Sequence, residues 1–257
     1  MNSNPLDGTA VKKYGLALHT ASRELGLAIS NFAGESRCQT WNLDRDLATH
    51  LHQYLVEFIG PQTWADLAFI AVAKGPGGFT GTRMGMVTAR TLAQQLDIPV
   101  FAISTLAAVA WAQPPLGKGL LELEPPQPPL GKGGLLSAEP PLGKGGLLSA
   151  QLPAKRGLLS IALQMPAQRG QLFGAVYSVN KDSGLTELFP DTVMTPESWQ
   201  EKLESWENSY QLIEVGSELG WSASSVLELA YLEWKQGSRP DWSGALPFYG
   251  QHPVKGH

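Results

Sequence analysis

Residues 71–110 read AVAKGPGGFTGTRMGMVTARTLAQQLDIPVFAISTLAAVA. The apolar run that leads into them, Leu67 to Ala73 (LAFIAVA), suits a strand buried on both faces. A glycine-rich loop, Lys74 to Gly81, follows it, and the spacing predicts a helix over 83–96. Pro99 to Ile103 is a further short strand and Thr105 to Trp111 a further helix, with Ser104-Thr105 placed to cap it. Strand, loop, helix, strand and helix in that order make an α/β unit. Gly75, Pro76, Gly77, Gly78, Phe79, Thr80 and Gly81 could aim backbone N–H groups at an anion, with Arg83 as counter-charge. The loop lacks both the Gly-Lys-Ser/Thr of a P-loop and the spacing of a dinucleotide fingerprint, so a structural turn is preferred to a phosphate cradle.

The predicted helix carries a second message. Gly81, Gly85, Ala89 and Ala93 recur every four residues and line one face with small side chains. Each glycine costs a helix roughly 1 kcal/mol relative to alanine, so the small face needs a reason. Small faces let another helix approach closely. Two uses stay open: packing onto the preceding helix of the same lobe, or docking of both helices onto a partner protein.

Outward from this segment, YGLALHTA (14–21) and ELGLAIS (24–30) read as two strands across a tight turn at Ser22-Arg23, with a third strand around Glu35 to Trp41. Asp44 precedes a helix over 44–60 with an apolar stripe of Leu47, Leu51, Tyr54, Leu55 and Phe58, stopped by Gly60-Pro61. Downstream the texture changes: PPLGKGLLELEPPQ is followed by PPLGKGGLLSAE and PPLGKGGLLSAQ, the last two with a period of twelve. Residues 114–156 therefore read as a mobile Pro/Gly-rich insertion rather than a solenoid. Strands follow at Leu158–Leu163 and Leu172–Val179, joined by MPAQRGQ, where Gly170 can take a positive φ. Thr195-Pro196-Glu197 starts a helix ending near Trp206, Gln211–Val215 is a strand, and Ser222–Gln236 a last helix. The expected organisation is an N-terminal extension (1–13), an α/β lobe (14–113), the insertion (114–156), and a second α/β lobe with a tail (157–257).

Composition narrows the function. The 257 residues carry a net charge of −4, which gives no whole-chain attraction to nucleic acid phosphates. Cys38 is the only cysteine, so no internal disulfide is possible and a reducing cytoplasm is expected. The first residues lack the basic and apolar regions of a signal peptide, and no apolar run is long enough to span a bilayer. His50 and His52 are two apart on a helix and face apart; His252 and His257 lie in a tail; no metal site is expected. Cys38 has no histidine partner in view and reads as a packed thiol. Trp199, Trp206, Trp221, Trp234 and Trp242 could stack on bases, but packing of helices is the reading taken.

GPGGFTGTRMG resembles the G-R-G-P-G-S-F-T-G-x-R-x-G signature of the TsaB (YeaZ-type) family. DIPVFAISTLAAVA, YGLALHTASRELGLAIS, LSIALQMPAQRGQLFGAVYS and LPFYGQHP resemble further segments of that family in the same order, covering most of the chain outside the first dozen residues and the insertion. The resemblance implies an α/β, actin-like or sugar-kinase-like fold of two lobes with mixed, ribonuclease-H-type sheets. It implies a non-catalytic subunit without cofactor. This subunit binds and activates its catalytic relative TsaD, which transfers threonylcarbamoyl to a tRNA adenosine; a small ATPase, TsaE, joins them, and tRNA is met only indirectly. The TsaD-facing positions would be Leu47, Leu51, Tyr54, Gly81, Arg83, Gly85, Ala89 and Ala93, and alone the chain could pair with itself through the same face. Three positions depart from the family pattern: His19 replaces an aspartate on the first strand, Pro166-Ala167-Gln168 replaces Asp-Ala-Arg with Arg169 one place later, and Gln251 replaces a closing arginine. Actin-like ATPases need carboxylates at strand ends for Mg²⁺, so His19 argues against the alternatives of an ATPase or a metallopeptidase.

Overall fold

The computed structural model describes residues 13–113, 160–180 and 184–250. The expectation of a mobile insertion at 114–156, and the departure at Gln251, fall outside these residues. Strands β1 (Tyr14–His19), β2 (Glu24–Ser30) and β3 (Ser36–Asn42) form an antiparallel meander. Helix α1 (Leu47–Ile59) then leads to β4 (Leu67–Ala73), which pairs parallel with β1, and α2 (Phe79–Leu96) leads to β5 (Val100–Ile103), parallel with β4. The first sheet therefore runs β3-β2-β1-β4-β5. Helix α3 (Thr105–Ala112) follows it, its first turn capped by the Ser104 hydroxyl, which accepts from the Ala107 N–H at 3.1 Å.

The same plan recurs in the second half. Strands β6 (Ser160–Pro166), β7 (Leu172–Asn180) and β8 (Gly184–Met194) are antiparallel, helix α4 (Pro196–Glu204) crosses over, and β9 (Tyr210–Glu214) pairs parallel with β6. The sheet order is β8-β7-β6-β9, and helix α5 (Ala223–Lys235) follows. Two ribonuclease-H-type lobes with mixed sheets make an actin-like fold.

Alternation on β1 and β2 divides the first lobe's core in two. Leu16, Leu18, Leu25 and Leu27 point to one face, where Leu51 and Leu55 of α1 and Met86, Ala89 and Ala93 of α2 cover them. Ala17, Ala28 and Ala71 point to the other, where α3 and α5 lie between the sheets. α4 covers the outer face of the second sheet, seating Trp199 on Ala162 and Val176. Gly174 makes the room, since a Cβ there would stand 2.7 Å from the Trp199 ring. The Tyr177 hydroxyl donates to Asp191 within the second lobe at 2.7 Å and lies 3.4 Å from Ser104 Oγ across the lobe junction. The second half does not stay in its own lobe: α5 packs on β1, β2 and β4, and the strip after it returns to α2 and β5, with Val100 N–H donating to Pro240.

Two elements differ from the sequence reading. β8 was not expected, because its eleven residues include Pro190, lack clean alternation and meet β7 with two register shifts, as suits an edge strand. α2 starts at Phe79, four residues before the predicted 83, because Gly78 ends the extended loop and its carbonyl already accepts from Thr82 N–H at 2.9 Å.

β2 passes so close to the turn before α5 that a Cβ on Gly26 would sit 1.9 Å from the Gly220 carbonyl oxygen, backbone against backbone. Gly26→Ala is therefore expected to lower the free energy of unfolding by about 1–3 kcal/mol, read from the urea midpoint; an unchanged midpoint would refute this close contact.

Candidate functional site

The site is built where β1 ends and α2 begins. The Gly78 N–H donates to the Ala21 carbonyl at 2.7 Å, the Gly75 carbonyl accepts from Thr105 N–H at 2.9 Å, and the Lys74 carbonyl accepts from Phe248 N–H at 2.6 Å. The loop is thus tied to β1, α3 and the C-terminal strip at once. Gly75, at φ 98°, would bring a Cβ within 2.5 Å of the Phe248 carbonyl oxygen, so only glycine fits. The Gly78 N–H is committed inside the protein, which leaves the anion reading of this loop to Phe79, Thr80 and Gly81 at the uncapped helix start.

The small ridge faces inward. A Cβ on Gly81 would meet the Thr20 carbonyl oxygen at 2.1 Å, and one on Gly85 would meet Thr20 Oγ1 at the same distance. The Thr20 hydroxyl donates to the Gly81 carbonyl at 2.8 Å. Gly85, Ala89 and Ala93 are buried, as are Leu47 and Leu51 of α1. The ridge packs within its own lobe, chiefly on Thr20 at the end of β1 and on the sheet rather than on the preceding helix as expected, and these five residues are buried. Tyr54 is half-buried on Trp41, Gly81 is half-buried, and Arg83 is exposed.

Across α2 from the ridge lies surface that the sequence reading missed. A groove of about 680 Å³ runs between α1 and α2, lined by Val56, Phe79, Arg83, Met84, Val87 and Leu92 among others. Val56 is 63% exposed, Val87 55% and Phe79 49%. These apolar groups share one groove. Helical spacing could have found them: Phe79, Arg83 and Val87 are each four apart, on the face of the helix roughly opposite the buried ridge.

A second concavity, about 1190 Å³, opens between the lobes, with Arg23, Arg45, Asp44, Gly78, Met165 and Arg169 in its walls. His19 closes β1 with 0% exposure, and neither ring nitrogen has a hydrogen-bond partner among the described residues. Burial pushes its pKa down to about 4, so the ring is neutral. No group of three or more His, Cys, Asp or Glu residues that could hold a metal occurs among the described residues, and no helix there is long and apolar enough to cross a membrane.

The profile of TsaD, the tRNA N6-adenosine threonylcarbamoyltransferase, matches residues 59–121. Over 45 residues the chain is 56% identical to the tRNA threonylcarbamoyladenosine biosynthesis protein TsaB of Bacillus subtilis (strain 168), 18% of this chain and 20% of that one. Over 48 residues it is 48% identical to the TsaB of Buchnera aphidicola subsp. Schizaphis graminum (strain Sg), 19% and 23%. The aligned stretches thus span about a fifth of these relatives' lengths. YeaZ from Pseudomonas aeruginosa superposes on 92% of this chain and 99% of its own with a TM-score of 0.61 and 17% identity. A second protein of that organism, described as uncharacterized with similarity to peptidase YEAZ, superposes on 93% and 100% with a TM-score of 0.63 and 18% identity. At such identities the superpositions establish the fold.

The fold is that of YeaZ, and a short stretch is shared with TsaB proteins.

His19 is the position with the clearest chemical consequence. Its folded pKa lies below the ordinary value near 6.5, so its contribution to stability is complete above pH 6.5 and falls as pH drops from 6.5 toward 4. Between pH 7 and pH 5 the loss is on the order of 2 kcal/mol. His19→Leu should remove it, so between pH 7 and pH 5 the wild type should lose about 2 kcal/mol more unfolding free energy in urea than the variant does. Parallel pH dependences would place the charge on this imidazole at no cost.

Proposed function

We propose that this chain is the non-catalytic partner subunit of a tRNA threonylcarbamoyladenosine-forming complex, and that it docks a TsaD-type transferase through the α1–α2 groove. One observation carries the reading: an apolar groove bounded by Val56, Phe79 and Val87 lies uncovered on an otherwise well-packed lobe. The names of the Bacillus and Buchnera relatives, which describe threonylcarbamoyladenosine biosynthesis proteins, give the pathway. Arg83 at the groove's edge would add a charged rim contact. The glycine-alanine ridge on the far side of α2 serves this surface indirectly, by holding α2 close against the end of β1.

The position of His19 supports a non-catalytic role. A neutral imidazole buried at the end of the first strand cannot hold Mg²⁺ as a strand-end carboxylate would. A TsaE-type ATPase would join the pair, and the chain's net charge of −4 leaves the grip on tRNA to its partners. In the absence of TsaD, a second copy of this chain could cover the same apolar groove, since α1 and α2 present it to either.

Co-expression with the TsaD relative from the same source is expected to give a stable heterodimer on size-exclusion chromatography with light scattering. Val56→Glu combined with Val87→Arg should weaken that complex by about tenfold or more while leaving the thermal midpoint of the isolated chain within about 2 °C, because both side chains are exposed. Full retention of the heterodimer by this variant would refute the groove as the docking face.

A further inference from the structure

The strip that follows α5 is tied down along its length. At Pro240 its carbonyl accepts from the Val100 N–H of β5 at 3.2 Å, and its turn at Trp242–Gly244 lies on α2. Ala245 is sealed into the first lobe's core with 4% exposure. Beyond it the strip reaches the loop before α2 and touches the second sheet as well. The Phe248 N–H donates to the Lys74 carbonyl at 2.6 Å, and the Phe248 ring meets Phe173 of β7 with centroids 6.3 Å apart. Gly250 stands at φ 62°, where a Cβ would come within 2.6 Å of the Val193 side chain on β8 and 2.7 Å of Phe173.

Tyr249 is thus held from both neighbours, and its side chain is directed at one target. Its ring lies against Phe79, with centroids 4.5 Å apart and planes at 34°. Phe79 is the first residue of α2, is 49% exposed and lines the α1–α2 groove. A half-exposed ring at a helix start has few contacts to fix its rotamer, and ordering it when a partner arrives costs affinity. A second ring packed on one face removes that cost in advance. Tyr249 is not one of the groove's lining residues; it meets Phe79 from the side of the inter-lobe cleft.

We propose that Tyr249 is a positioning residue for partner docking: from behind, it holds the Phe79 ring in the wall of the α1–α2 groove. The inference rests on the docking reading above and names what regulates that surface. Phe248 and Gly250 rest on β7 and β8, so the second half of the chain shapes a groove that lies on the first lobe.

The test is the Kd of the complex between the full chain and the TsaD relative from the same source, measured by biolayer interferometry. Tyr249→Ala is expected to weaken docking about fivefold, the effect of leaving one side chain unordered. Tyr249→Phe should stay within about twofold of the wild type, because the contact is ring on ring. Leu246→Ala, at a 64% exposed position of the same strip, should change nothing. The deciding readout is a double-mutant cycle: in a Phe79→Ala background, Tyr249→Ala should have no further effect, since no ring remains to be positioned. Should Tyr249→Ala lose its cooperative melt, Tyr249→Leu takes its place in the same cycle, with a loss of about threefold expected. Equal losses in both backgrounds, or a Tyr249→Phe loss as large as that of Tyr249→Ala, would overturn the proposal. Val56→Glu with Val87→Arg separates the two possible failures. If that variant weakens the complex and Tyr249→Ala does not, positioning by Tyr249 is refuted and the groove stands as the docking face; if neither weakens it, both readings fall.

Discussion

The close approach of α2 to the end of β1 is the constraint on which the rest of the molecule depends. Gly81 and Gly85 let the helix lie against the backbone and hydroxyl of Thr20, and the Thr20 hydroxyl returns a hydrogen bond to Gly81. One turn earlier, Gly78 bonds to Ala21. The contacts at Gly81 and Gly85 exclude a side chain, so those two glycines record how closely the helix approaches Thr20. The contact sets where Phe79 emerges, how α1 and α2 flank their groove, and where the floor of the inter-lobe cleft lies. A helix displaced outward by a single methyl group would disturb all three.

The two concavities are made from opposite sides of that same junction. On one side the exposed flank of α2 presents Val87 beside Val56 of α1, an apolar surface suited to another protein's side chains. On the other side the start of α2 looks into a cleft whose cations come from three separate turns. Phe79 lines both and packs on Tyr249 with ring centroids 4.5 Å apart. A partner seated in the groove would therefore press on a ring that is backed from the cleft side.

Much of this was legible in the sequence. The strand at 67–73, the helix caps at Ser104 and Thr195, and the positive φ at Gly170 followed from local patterns and are present. The resemblance of the loop to the TsaB signature gave the fold. What escaped had physical reasons. β8 is an edge strand whose exposed face and register shifts erase the period-two signal. The docking positions were drawn from the most regular apolar pattern, and regularity of that kind marks the buried face, so Leu51, Ala89 and Ala93 proved internal while Val56 and Val87 went unnoticed. Arg23, Arg45 and Arg169 come together only through tertiary structure, and no spacing along the chain announces them.

The placement of α5 has a consequence for how such a chain is made. It is the last long helix among the described residues, yet it lies on β1, β2 and β4, which are synthesised well before it. Until some two hundred further residues have been synthesised, one face of the first sheet, with Ala17, Ala28 and Ala71, has no cover. The nascent lobe must wait half-finished, sticky on one side, for its lid to be translated. Long sequence separation of this kind slows folding and lengthens the exposure of apolar strands, so the demand on chaperones is written into the order of the elements rather than into any single residue.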